Sequence, residues 1–582
     1  MPSRSGRFHV VFNGEIFNYQ ELAAELRECG HQFRGHSDTE VALAAFEQWG
    51  VERAATRFIG MFAMAVWDAH SRELLLVRDR LGIKPLFVYQ RGGVVAFASE
   101  MKAFHTLPCF RPEIDTESLA QYFRYLYVPA PRSIFLGVSK LLPGHILKIR
   151  DPAATLPEPT AYWSVEEVAR RERTIGFDGS DEEAVDELDK TLLEAVRLRM
   201  RADVPVGAFL SGGVDSSITV ALMQEVLPRP VRTFTIGFDS AEHDESSEAE
   251  AVARHIGTDH NRLRLDGRSA LDIIPSLPDI FDEPFANPSQ LPMYLICHAA
   301  RQQVTVAISG DGGDELFAGY NRYSYGSRVI RQAGRLPRGP RGLIGAGLTS
   351  VPPHAWDRIQ GGVASLLKKE SHRLVGEKAH KLGRLLRQPT DADMYLSLVS
   401  AWQSPPLSGS SGVDPRTMAI LRDKSLSLLD RMMLADQMVY LPDDSLTKVD
   451  RTSMAVSLEV RVPILDHRVA ELSWRLPERF KFRDGRGKWA LRNVLARRVP
   501  LELIDRPKVG LSVPMADWLR GPLRGWAQDH LDPARLAEVD VLDVPRIQHA
   551  WKRLLAGKTN DYLALWTVLS FQAWRERWIG FQ

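Results

Sequence analysis

Cysteine is almost missing from this chain. Only Cys29, Cys109 and Cys297 occur among 582 residues, with no CxxC pair and no framework spacing, which argues against a sulfur-ligated metal and for a reducing compartment. An excess of charge of one sign is missing too: 74 Lys and Arg face 73 Asp and Glu, a formal net charge of +1. No nucleic-acid groove and no face for an anionic membrane is therefore expected, and the arginine-rich stretch 335–341 reads as solvated surface. No apolar run approaches the roughly 18 residues of a membrane span, and residues 1–12 lack a signal-peptide core. These absences predict a cytoplasmic protein without nucleic-acid or membrane partners and leave a homo-oligomer open. The length is too great for one ordinary core, so several domains are expected.

What is present divides in two. Residues 6–149 hold short strand candidates at 8–12, 61–67, 73–77, 86–89 and 94–98, with helix candidates at 19–28 and 39–49, and read as a layered β-rich domain. A Pro/Ala/Thr stretch at 151–159 has no periodicity and reads as a linker. Beyond it, apolar runs at 204–210, 232–237, 260–265 and 304–309 alternate with helical patterns, the signature of βαβ units and a parallel sheet. After Tyr323 the pattern turns helical.

Two glycine-rich runs fall where strands of the second segment end. The first is Phe209-Leu210-Ser211-Gly212-Gly213-Val214-Asp215-Ser216-Ser217. Free backbone N–H groups and the positive end of a helix dipole favour an anion at such a junction, and glycine lets the backbone come close to it. No Gly-Lys-Ser/Thr follows, so this is not a Walker A loop; it resembles the PP-loop of ATP pyrophosphatases, which cut between the α and β phosphates. The second run, Ser309-Gly310-Asp311-Gly312-Gly313-Asp314-Glu315, repeats the geometry on another strand. Asp215 and Asp314 would clamp a Mg²⁺ on pyrophosphate, leaving Asp311 for proton handling. Either run could instead be an ordinary turn bonded to its own backbone. Charge building up at the α-phosphate also calls for fixed cations, for which Lys448 and Lys488 are the candidates, although most lysines are only surface charges.

Taken together these residues resemble the glutamine-dependent asparagine synthetase family over nearly the whole chain. The resemblance is carried by Phe12-Asn13-Gly14-Glu15-Ile16-Phe17-Asn18, Ser37-Asp38-Thr39-Glu40, Arg78-Asp79-Arg80-Leu81-Gly82-Ile83-Lys84-Pro85, both glycine runs, and Leu458-Glu459-Val460-Arg461-Val462-Pro463-Ile464-Leu465-Asp466. It implies an α/β protein. An amino-terminal αββα glutaminase-like (Ntn-type) domain, lacking its first strands, would occupy 1–150. A linker would run over 151–185, and a parallel-sheet ATP pyrophosphatase (PP-loop) synthetase domain with a helical carboxyl-terminal part over 186–582. By the resemblance Asn13 and Gly14 form an oxyanion hole, and Glu15 and Asp38 complete the glutamine site, Asp38 on the α-amino group. Phe209, Leu210, Ser211, Gly212, Gly213, Asp215, Ser216, Ile236, Ser309 and Gly310 line ATP. Asp311, Lys488 and Lys448 serve catalysis, and Asp215 and Asp314 hold Mg²⁺. The implied reaction is attack of a carboxylate on the α-phosphate of ATP, followed by displacement of AMP by ammonia.

Two departures stand out. The family nucleophile is a cysteine directly after the initiator Met, whereas this chain begins Met1-Pro2-Ser3; the expectation is that no glutaminase nucleophile is present and that the true start lies upstream of Met1, with free ammonia as the alternative nitrogen source. In place of the Thr-Thr-Ile-Arg-like segment of aspartate-specialised members stands Asp282-Glu283-Pro284-Phe285-Ala286-Asn287-Pro288-Ser289. Aspartate leads as acceptor. Amidation of a sugar acid or a cyclisation by the same chemistry is the rival, and a non-catalytic nucleotide- or glutamine-binding relative is the rival of another class.

Overall fold

The computed structural model describes residues 1–238, 246–265, 271–352, 355–356, 375–505, 513–559 and 561–580. Its first part is built on two antiparallel sheets. One runs in the order β1 (Phe8–Ile16), β2 (Gly60–Asp68), β3 (Glu73–Arg78), then, past the smaller sheet's strands in the chain, β7 (His145–Ile149) and β8 (Thr160–Ala161). The smaller sheet places β4 (Phe87–Arg91) between β5 (Val94–Ala98) and β6 (Val138–Lys140). The period of two along β2 sorts its side chains by size. Phe62, Met64 and Val66 pack with Phe46 and Leu22 from the helices Asp38–Trp49 and Tyr19–Glu28, while the small Ala63 and Ala65 pack with Val88 of the other sheet and with Leu86 just before it. On that sheet's far side Phe87 and Tyr89 pack with Leu119 and Tyr122 of the helix Thr116–Tyr125. The layering is helix, sheet, sheet, helix.

The stretch 151–185 is not featureless. Ala161 pairs with His145, and a helix capped by the Ser164 hydroxyl spans Val165–Ile175. From there a helix Asp181–Arg199, with a Ser180/Glu183 capping box, leads into the second sheet.

That sheet is parallel throughout. Its order is β11 (Asp259–Leu265), β10 (Arg232–Phe238), β9 (Val206–Phe209), β12 (Val306–Ile308) and β13 (Glu459–Arg461). From β9 the chain adds β10 and β11 to one side and returns to lay β12 on the other. The β9/β12 boundary is thus the topological switch point, where crevices open beyond the carboxyl ends of strands. Both glycine runs lie there. After β12 the chain is mainly helical, and the last helix, Leu563–Trp578, packs back on the first part: the Tyr122 hydroxyl donates to Thr567 O at 2.8 Å. No helix among the described residues is long and apolar enough to cross a membrane.

One expectation is corrected. Arg341 is not solvated: it is 5% exposed and donates to Leu386 O (3.0 Å) and Gln388 O (2.5 Å). Unpaired carbonyls at the end of the helix Val375–Leu386 give a guanidinium several acceptors at once, which lets it be buried.

Candidate functional site

The first loop leaves β9 at Phe209, and Leu210 N–H still donates to Phe234 O (2.9 Å). Gly212 turns at φ +70°, Gly213 caps the helix Val214–Val226, and Ser216 Oγ accepts from Ser211 N–H (3.1 Å) and lies 3.0 Å from Ser211 Oγ. The second loop leaves β12 in the same way. Ser309 N–H donates to Arg461 O of β13 (2.9 Å), Ser309 Oγ donates to Asp311 Oδ2 (2.5 Å), and Gly312 turns at φ +97°.

Glycine is required where the two loops touch. A Cβ on Gly310 would lie 2.6 Å from Asp215 C and Ser216 N, and one on Gly313 would lie 2.3 Å from Asp215 Oδ1. This contact brings Asp215 and Asp314 to face the same point.

A third segment supplies the cation between them. Lys488 caps the helix Trp489–Ala496 at φ +62°, its N–H donating to Phe317 O (2.7 Å). Its Nζ reaches Asp215 Oδ2 and lies 2.7 Å from Asp314 Oδ1. Burial alone would lower the pKa of this ammonium, but Asp215 and Asp314 outweigh it and leave the value raised, so Lys488 is a fixed positive charge. Gly319 makes room: its Cβ would fall 2.0 Å from Lys488 Cε.

These groups open on a cavity of about 440 Å³. It takes in Ser211, Gly213, Asp215, Ser216, Asp314 and Lys488 from the residues the sequence singles out. Phe209, Leu210, Gly212, Ile236, Ser309, Gly310 and Asp311 are not among its lining residues; Phe209 and Ile236 lie in β9 and β10, and Asp311 is bonded by Ser309. Lys448 is not among the lining residues; it sits on the helix Thr447–Met454, where its charge acts on Asp444.

Sequence reasoning missed Arg486, Arg492 and Asp505, which also line the cavity. Asp505 pairs with Arg486 at 2.6 Å and Arg492 at 3.5 Å. The available signal was spacing: Arg492 lies four residues after Lys488, one helical turn on the same face.

The first part carries a second cluster. Asn13 Nδ2 donates to Ser99 Oγ (2.9 Å), and Gly14, at φ +139°, has its would-be Cβ 2.0 Å from Met61 O. Asp38 Oδ2 accepts from Ile16 N–H (2.9 Å); burial raises its pKa against these hydrogen bonds. Glu15 is pushed up to about 7, first by burial and then by Glu459, and its Oε1 lies 3.7 Å from Arg461 Nη2. The segment 13–15 therefore reaches the strand that supports the second glycine loop. Cys29 is exposed at the end of the helix Tyr19–Glu28, Cys109 is half-buried and Cys297 is buried in the second part.

Comparison with known proteins fits this two-part geometry. The profile of the asparagine synthase family matches residues 187–576, and that of the glutamine amidotransferase domain matches residues 1–163. The chain belongs to the asparagine synthase family. A putative glutamine-hydrolysing asparagine synthetase of Mycobacterium tuberculosis is 35% identical over 98% of this chain and 85% of the relative. Asparagine synthetase 1 of Bacillus subtilis is 30% identical over 97% and 85%. Among other family-like sequences, amidase chyE of Penicillium rubens is 27% identical over 88% of this chain and 78% of its own. A solved glutamine phosphoribosylpyrophosphate amidotransferase from B. subtilis overlaps 45% of this chain and 63% of its own, at 16% identity and a TM-score of 0.20. As an asparagine synthase-family chain, this protein pairs a carboxylate-activating ATP site with an amidotransferase domain.

Proposed function

We propose that the chain uses ATP to adenylate the side-chain carboxylate of aspartate, releasing pyrophosphate, and that ammonia then displaces AMP to form asparagine. The observation that carries this reading is the convergence of Asp215, Asp314 and Lys488 from three separate segments on one cavity at the switch point of a parallel sheet. Lys488 sits where charge grows on the leaving pyrophosphate, and the backbone N–H groups at the start of the helix Val214–Val226 face the same anion. Phe209, Leu210 and Ile236 flank the adenosine, and Asp311 is the group for proton handling beside the reacting carboxyl.

Asp215 and Asp314 would hold Mg²⁺. Two carboxylate donors suit a cation that takes most of its shell from phosphate oxygens and water; among the described residues no group of three or more His, Cys, Asp or Glu is arranged to hold a metal by itself. When bound, Mg²⁺ would offset phosphate charge and orient the chain of phosphates. In the amino-terminal half, the Asn13 side-chain amide and the Gly14 N–H are the donors for an oxyanion, and Asp38, with Glu15 near it, is the partner for the α-ammonium of glutamine. Ammonia comes from glutamine or from free ammonium. The same reading assigns 1–150 to the glutaminase-like domain, 151–185 to the connection and 186–582 to the synthetase, in a cytoplasmic enzyme without nucleic-acid or membrane partners. A second reading, amidation of another carboxylate, is favoured only by the segment 282–289.

The test is incubation of the chain with ATP, Mg²⁺ and aspartate, with ammonium or glutamine as nitrogen source, and chromatography of the products. Asparagine and AMP in equal amounts are expected with ammonium. AMP formation with a uronic acid and not with aspartate would favour the second reading.

A further inference from the structure

The second glycine loop has little of its own to hold it. Between Ser309 and Asp314 it carries Gly310, Gly312 and Gly313, which add no packing and lose the most chain entropy when ordered, and the helix that follows, Gly313–Leu316, is a single turn. The start of the loop is tied down by Ser309 N–H on Arg461 O (2.9 Å). The end is tied down by a side chain that no step of the proposed reaction uses: Gln437 Nε2 donates to Glu315 O (2.8 Å). A one-turn helix leaves such carbonyls without partners in the helix itself, so a donor from elsewhere has to serve them.

Gln437 is buried and stands near the start of the π-helical stretch Asp436–Leu446, a rare geometry that recurs at functional sites. Its amide has one workable orientation. Trp474 Nε1, which can only donate, bonds Gln437 Oε1 at 2.8 Å, while the Glu315 carbonyl can only accept. Oxygen therefore faces Trp474, nitrogen faces the loop, and a flip would break both bonds. Trp474 is itself fully buried, in the helix His467–Arg475 that follows β13. One continuous segment, 459–475, thus serves both ends of the loop: the start through Arg461, and the end through Trp474 and Gln437. Asp314, whose Oδ1 lies 2.7 Å from Lys488 Nζ, directly precedes the anchored residue.

We infer that Gln437 is a positioning residue for the synthetase site: acting through Glu315 O, it sets the direction in which Asp314 presents its carboxylate to Lys488 and the cavity. The inference rests on the reaction proposed for that cavity. An apolar side chain at position 437 would leave the Trp474 N–H and Glu315 O buried without this partner. A carboxylate there would still serve Trp474 but would set negative charge against the Glu315 carbonyl, until protonation supplied an O–H to donate.

The experiment compares the parent chain with Gln437→Leu, Gln437→Glu and Trp474→Phe in two assays, aspartate-dependent pyrophosphate release with ammonium and hydrogen exchange over 309–317 read by mass spectrometry, with folding checked by thermal melting. In Gln437→Leu, kcat is expected to fall by about 10²-fold, the scale of a reacting group misplaced by about an ångström, with the KM for aspartate within about two-fold of the parent. Exchange over 309–317 is expected to quicken about tenfold, as for one lost hydrogen bond. Trp474→Phe, which keeps an aromatic ring but removes the donor that orients the amide, falls between this variant and the parent. Gln437→Glu, close to the parent in shape, decides the matter where Gln437→Leu does not fold: its kcat relative to the parent is expected to rise about tenfold as pH falls from about 8.5 to about 6, because burial raises the pKa of the introduced carboxyl. A merely structural glutamine would change the melting temperature alone. Folded Gln437→Leu protein that keeps the parent kcat or the parent exchange, or a Gln437→Glu pH profile that runs parallel to the parent's, overturns the inference and leaves the synthetase reading intact. A parent chain that releases pyrophosphate with a uronic acid but not with aspartate overturns the aspartate reading, and the same variants assayed with that acid still decide the role of Gln437; a parent chain that releases none with either overturns both.

Discussion

Lys488 enters its helix at φ +62°, a conformation that non-glycine residues adopt at a cost of about 1–2 kcal/mol. Such strain persists where surrounding structure fixes it, and here the N–H bond to Phe317 O and the two carboxylates on Nζ do so. Lys488→Met removes the charge between Asp215 and Asp314, which the proposed reaction sets against the leaving pyrophosphate, and leaves the two carboxylates repelling each other. Aspartate-dependent pyrophosphate release is expected to fall by about 10³-fold, the scale of one lost preorganised electrostatic contact, as read by steady-state assay. At this scale the sequence is only partly legible. Asp215 and Asp314 are marked by the glycines around them, which bring them within reach of one lysine. Lys448 and Lys488 look alike as letters, and only the fold separates the lysine beside Asp215 from the one beside Asp444. Arg492 is marked only by its spacing from Lys488, and Arg486 and Asp505 carry no local mark because an Arg–Asp network is a product of packing.

The loops act as a pair. Each strand–turn–helix unit can be recognised on its own because it needs an apolar run, then glycines, then helical periodicity. Their contact cannot be read that way. Gly310 sits against the backbone at Asp215 and Ser216, so Gly310→Ala is expected to push the loops apart. The expected cost is about 1–3 kcal/mol of stability, the range for overpacking a tight contact, together with loss of most pyrophosphate release; urea unfolding and the activity assay measure the two effects. Unchanged stability with full activity would mean that the loops do not meet as described. The strand β13 shows the other limit. Glu459-Val460-Arg461 is too short to announce itself by alternation, yet it completes the sheet and anchors the second loop through Arg461 O.

Across the whole molecule, the two halves are joined by buried charge. Lys84 and Asp450 meet at 2.9 Å with 5% and 8% of their side chains exposed, and Lys140 pairs with Glu283 at 2.5 Å. Arg451 Nη2 donates to Ser99 O (2.7 Å), and Arg461 lies between Glu15 and the second glycine loop. Breaking one member of such a pair leaves the other charge buried, so these contacts fix the relative placement of the two halves more than they add net stability. The family and the alternation of elements were legible because they depend on local runs; the joint between the halves was not, because its partners lie hundreds of residues apart. The account as a whole depends on attack at the α-phosphate. The direct measurement uses aspartate labelled with ¹⁸O in its side-chain carboxylate, together with ATP, Mg²⁺ and ammonium, and mass spectrometry of every phosphorus product. The account predicts AMP carrying one ¹⁸O and unlabelled pyrophosphate; label in inorganic phosphate with ADP as the nucleotide product would contradict it.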